Sequence, residues 1–180
     1  MTPRPLEHFR VIVVPGLHDS GPEHWQSRWQ RLHPAFERVR QDDWSAPRLE
    51  TWSARLTQMR LRDPRPTLLV AHSFGCLAAA HSIAHDPRGV AGVLLVAPAD
   101  PDKFGVAQLL AHDALGCPAS MIGSENDPWM SAQKAAKWAA RWQSGFVNAG
   151  MLGHINAETG LGDWDYGQQQ LLALAELARA

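Results

Sequence analysis

Three residues of this chain together have the chemistry of an activated nucleophile. Ser73 lies in LLVAHSFGCLAAA, Asp127 in SENDPW and His154 in AGMLGHINAETG. A serine hydroxyl is a poor nucleophile at its free pKa. It needs an imidazole within hydrogen-bond reach, and the imidazole needs a carboxylate to hold its tautomer and stabilise its charged form. The chemistry this implies is attack on a carbonyl, with an acyl-enzyme intermediate. A developing oxyanion would require two N–H donors. The backbone amide of Phe74, just after the serine, and that of Leu17, in PGLHDSG, are the candidates.

Each of these residues also has a plainer reading. Ser73 could cap a helix, because serine is favoured at that position. Asp127 could cap the helix that follows it, and Glu125 and Asp100 are rival acids. His154 could be a satisfied core histidine. The serine also lacks one glycine of the usual GxSxG pattern, since Ala71 stands two residues before it, while Gly75 is retained two residues after. His18, His24, Trp129 and Trp164 lie close to these motifs and are candidate substrate contacts. His81 and His85 are four apart on a helix, a spacing that suits a metal. The glutamate of HExxH is absent, so exposed histidines are expected there and no metal site.

The elements that must position these residues follow from periodicity. Short apolar runs alternate with helical patterns, which argues for an α/β architecture with a mostly parallel sheet of about six strands and helices on both faces. Strands are expected at 11–14, 38–42, 67–71, 90–96, 119–123 and 145–148. Trp25, Trp29 and Leu32 share one helical face, as do Trp52, Leu56 and Met59. Ser20 and Glu23 fit a capping box that starts the first of these helices at Gly21. Ala135, Trp138 and Trp142 mark another helix, and Leu171, Leu174 and Ala178 a last one. Ligands bind such sheets beyond the carboxyl ends of the strands, which is where the serine, aspartate and histidine motifs fall.

Composition narrows the function further. A chain of 180 residues suits a single domain, with no linker or repeat to divide it. A formal net charge of -1 offers no electrostatic footprint for nucleic acid. No apolar run reaches the roughly 18 residues of a membrane span, so a cytoplasmic protein without a membrane partner is expected. The two cysteines, Cys76 and Cys117, have neither disulfide nor zinc spacing and are expected to be small buried residues.

The order Ser, Asp, His is that of the α/β-hydrolases. The segments VVPGLHDSGPEHWQSRW, AHSFG, SENDPW and GHINAETGLGDW resemble the small serine hydrolases grouped with the bacterial YdeN proteins and retinoblastoma-binding protein nine. The resemblance spans nearly the whole chain. It implies an α/β-hydrolase fold without a lid domain, Ser73 as nucleophile, Asp127 as acid, His154 as base, and hydrolysis of simple carboxylic esters. It also supports Leu17 and Phe74 as oxyanion donors. Only about twenty residues separate the fourth strand from the fifth, so a shallow, open site for short acyl groups is expected. No cofactor is called for. The alternatives are an acyltransferase using the same triad, and a catalytically weak binding protein that retains the fold.

Overall fold

Valine- and leucine-rich segments supply three of the six strands. In the computed structural model, which describes residues 4–179, the strands are β1 (Arg10–Val14), β2 (Glu37–Arg38), β3 (Thr67–His72), β4 (Val90–Val96), β5 (Ala119–Gly123) and β6 (Gly145–Asn148). They form one sheet in the order β2-β1-β3-β4-β5-β6, with every neighbouring pair parallel. The helices are α1 (Trp25–Leu32), α2 (Leu49–Arg60), α3 (Phe74–His85), α4 (Ala132–Arg141) and α5 (Asp165–Leu177).

Side-chain alternation along the strands sorts the core into two layers. Ile12, Val14, Leu69, Ala71, Val93 and Leu95 face α2, α3 and α4. Val11, Val13, Leu68, Val70, Leu94 and Val96 face α1 and α5. Both faces are thus covered, which is why the central strands read as continuous apolar runs rather than alternating ones. Small residues at 78–80 let α3 lie close to the sheet, all of them buried. The connection from β4 to β5 carries only a 3-10 turn, Ala107–Leu109.

Several expectations are corrected. The second strand is two residues at the sheet edge, not five, because pairing ends as Val39 donates to the carbonyl of Val13 and β1 itself stops at Val14. The first helix starts at Trp25, not Gly21, and no Ser20–Glu23 box forms. Its cap is the His24 side chain, which accepts from the Gln26 amide, while Ser20 Oγ donates to Gln26 Oε1 at 2.6 Å. Leu32 is exposed, so the buried face of α1 is carried by Trp25, Gln26 and Trp29. His81 is buried, with Nδ1 2.8 Å from Ser53 Oγ, and its ring stacks on exposed His85 at 4.0 Å. Cys76 is buried but Cys117 is only partly so. Among the described residues no group of three or more metal-ligating side chains gathers, and no helix is long and apolar enough to cross a membrane.

Candidate active site

The sheet changes winding direction at β1, whose neighbours are β2 on one side and β3 on the other. The loops leaving β1 and β3 therefore meet at the carboxyl edge, the place where such folds bind ligands. Ser73 sits on the turn between β3 and α3 with φ 54° and ψ −124°, a conformation that few non-glycine residues adopt. Two glycines allow the approach. A Cβ on Gly75 would stand 2.3 Å from the Val14 carbonyl oxygen, and one on Gly16 would stand 2.7 Å from the Cβ of Ser73. Ala71 is different, because its methyl is buried in the layer beneath α3 and belongs to the core.

Ser73 occupies the N-cap position of α3, yet its side chain makes no capping bond. Its Oγ lies 2.9 Å from His154 Nε2. The other ring nitrogen, Nδ1, lies 3.0 and 2.9 Å from the two carboxylate oxygens of Asp127. An ionised carboxylate can only accept, so Nδ1 carries the proton and Nε2 presents its lone pair to the serine hydroxyl. Asp127 Oδ1 also accepts from the Trp129 amide at 2.9 Å. The helix that follows is capped by Ser131, not by Asp127. The rival acids are occupied elsewhere: Asp100 takes Lys134 at 2.5 Å, and Glu125 accepts from Asn148 at 2.9 Å.

The loop carrying His154 has only a 3-10 turn, Ala157–Thr159, as regular structure, and distant elements hold it. Trp25 Nε1 donates to the Ile155 carbonyl at 2.8 Å. His72 Nε2 donates to the His154 carbonyl at 2.9 Å. Asn126 Oδ1 accepts from the Gly153 amide at 2.7 Å, and Ser124 Oγ from the Leu152 amide at 2.9 Å. These four anchoring residues carry no mark in the sequence beyond adjacency to the motifs, since what makes them useful is a bond across the fold.

A cavity of about 340 Å³ opens beside Ser73. Leu17, Phe104 and Trp129 form its apolar wall, and His18, His24 and Asn156 a polar one. Phe104 comes from the β4–β5 connection and packs on Phe74, ring centres 5.0 Å apart. The amides of Leu17 and Phe74 donate to no protein group among the described residues. His18 and Trp129 line the cavity, and His24 joins them although it is buried. Trp164 is the correction. It is 5% exposed, stacks on Trp29 and packs at a tilt against Trp25 in the α1–α5 layer, and does not line the cavity. Its αL backbone turns the indole inward over Gly167, where any Cβ would collide with it.

Burial sets the charge of the imidazoles around the site. It pushes the pKa of His24 down to about 3, helped by nearby Arg38, and it pushes His72 well below the usual histidine value. Both rings are neutral at physiological pH. Any positive charge that develops on His154 therefore has no cationic neighbour among these two.

Comparison with known proteins identifies the family. A protein of Pectobacterium atrosepticum described as a YdeN-like hydrolase is 39% identical, with 97% of this chain and 95% of that one covered and a TM-score of 0.94. The ydeN gene product of Bacillus subtilis has the same fold at 19% identity, covering 92% and 98% of the two chains, TM-score 0.77. The esterase domain of a Rhodothermus marinus protein shares the fold at 12% identity, covering 94% and 88%, TM-score 0.71. No curated protein matches the chain. The family model for serine hydrolases matches residues 11–173, nearly the whole length, and the chain belongs to the serine hydrolase family.

Proposed function

We propose that this hydrolase cleaves small carboxylic esters through an acyl-enzyme, with Ser73 as nucleophile, His154 as general base and Asp127 as its orienting acid. The observation that carries this reading is the unbroken chain Asp127–His154–Ser73, with contacts of 2.9 Å on both sides of the imidazole, beside a largely apolar cavity. Ser73 Oγ attacks the carbonyl carbon while its proton passes to His154 Nε2. The oxyanion is taken up by the Leu17 and Phe74 amides, which have no acceptor among the described residues. His154 then gives its proton to the departing alkoxide, leaving an ester on Ser73 and a free alcohol. A water enters, loses its proton to His154, and attacks the acyl carbon. Collapse returns the proton to Ser73 Oγ and releases the acid.

A cavity of about 340 Å³ favours short acyl groups over long lipid chains. Ester chemistry is also the activity named for the Rhodothermus relative. The deciding experiment pairs a fluorophosphonate probe with short p-nitrophenyl esters. Wild type should be labelled at Ser73 and turn the esters over, whereas Ser73→Ala should do neither. Equal labelling of both proteins overturns the assignment.

A further inference from the structure

We propose that His24 is a substrate-binding residue whose Nε2–H donates to an oxygen acceptor carried by the substrate near its scissile ester. The proposal rests on the ester-hydrolase reading above and narrows its substrate class. His24 Nδ1 accepts from the Gln26 amide at 3.2 Å, so its lone pair is committed to capping α1. A neutral imidazole with an accepting Nδ1 must carry its proton on Nε2. Burial keeps the ring neutral. That Nε2 is buried and has no partner among the described residues. Its nearest aromatic neighbour, the His72 ring, meets it edge to face at 4.6 Å and offers no hydrogen-bond contact.

A buried donor left unpaired costs the folded state its desolvation, so its retention calls for an explanation. Three buried side-chain atoms in the described residues are unpartnered, at His24, His33 and Gln41, and of these residues only His24 lines the cavity beside Ser73. Capping alone does not account for a histidine. Serine, asparagine or aspartate would supply the same acceptor at a helix start. What the imidazole adds is a second polar atom on the edge away from the helix. The substrate that satisfies it is an ester bearing an alkoxy, hydroxy or keto oxygen, in place of a plain alkyl ester.

The test uses esters matched in size, in which one CH2 is replaced by oxygen. Substitution in the acyl part is read with p-nitrophenyl butyrate and p-nitrophenyl methoxyacetate. Substitution in the alcohol part is read with butyl acetate and 2-methoxyethyl acetate. Each kcat/KM is divided by the rate of hydroxide-catalysed hydrolysis, which removes intrinsic reactivity. Wild type should favour the oxygen-bearing member by roughly tenfold in one of the two pairs, and that pair identifies the side of the ester His24 reads. His24→Asn retains a capping acceptor and loses the distal donor, so the preference should fall close to one. No corrected preference in wild type for either pair overturns the proposal, and this measurement needs no variant. An undiminished preference in a folded His24→Asn overturns it too. Turnover of every ester without preference rejects this inference alone, whereas turnover of none rejects the ester reading and this inference together.

Discussion

His72 Nε2 donates to the carbonyl oxygen of His154 at 2.9 Å, so the residue preceding Ser73 holds the backbone of His154. This one bond ties the end of β3 to a loop about eighty residues downstream. Because His72 is buried and neutral, it acts as a fixed donor across the working pH range. His72→Ala should lower kcat roughly 10- to 100-fold by loosening the Ser73–His154 geometry. KM should change much less, since the side chain works through His154. Steady-state kinetics that put the loss wholly in KM would contradict this positioning role.

The choice of acid is testable by a pair of variants. Asp127→Asn retains the shape but no longer enforces a proton on His154 Nδ1, so kcat should drop by about 10,000-fold, as in other serine triads. Asp100→Asn should leave kcat within about twofold, because Asp100 faces Lys134 and not the imidazole. A larger effect at Asp100 than at Asp127 would reassign the acid.

Glycine is required at the two points where the β1 and β3 loops touch. Gly75→Ala places a methyl against the Val14 and Pro15 carbonyls, and Gly16→Ala places one against Ser73. Gly75→Ala should destabilise the fold by about 1–3 kcal/mol or more in denaturant titrations. Gly16→Ala should cost more activity than stability, since it displaces Ser73. Ala71→Gly removes a buried core methyl and should cost roughly 1 kcal/mol without abolishing probe labelling.

The two tryptophans near the motifs should separate cleanly. Trp164→Ala removes a buried indole and should cost about 3–5 kcal/mol of stability. Trp129 is 54% exposed at the cavity wall, so Trp129→Ala should alter KM while leaving the denaturation midpoint nearly unchanged. Thermal unfolding and ester kinetics on both variants check the division.

Buried neutral histidines make stability depend on pH in a defined sense. In the unfolded chain His24 and His72 protonate near pH 6.5, whereas the folded state keeps both neutral to much lower pH. Their contribution is complete above that value and falls as pH drops, by up to about 1.4 kcal/mol per pH unit for each ring. Between pH 7.5 and pH 5 the loss should reach about 3–4 kcal/mol by urea unfolding. His81, also held low by burial, acts in the same sense. Asp63 and Asp86, with carboxyls held at about 2 by Arg65 and Arg88, lose their contribution only at more acid pH. Stability that is flat or rises from pH 7.5 to 5 would exclude this account.

Much of the architecture was legible in local patterns. Five of the expected strands lie within about one residue of β1, β3, β4, β5 and β6, because buried parallel strands are short apolar runs bounded by turn residues. The edge strand was the exception, since an edge needs only a few backbone bonds and its side chains need not be apolar. The start of α1 also escaped prediction: Ser20 and Glu23 have the right spacing for a cap, but Ser20 is bound to buried Gln26, which itself donates to the Val14 and Val70 carbonyls. That bond depends on two strands meeting, and no local rule contains it.

The amino-acid sequence by itself determined the identity and order of the serine, aspartate and histidine loops, because each must follow a strand and each carries its turn residues with it. Tertiary structure decided what those loops touch. It placed His154 between Ser73 and Asp127, turned Trp164 into the core and left His24, a cavity residue, with its Nε2 unpartnered among the described residues. The physical reason is that hydrogen bonds and burial join residues remote in the chain, whereas strands, turns and caps answer mainly to their neighbours.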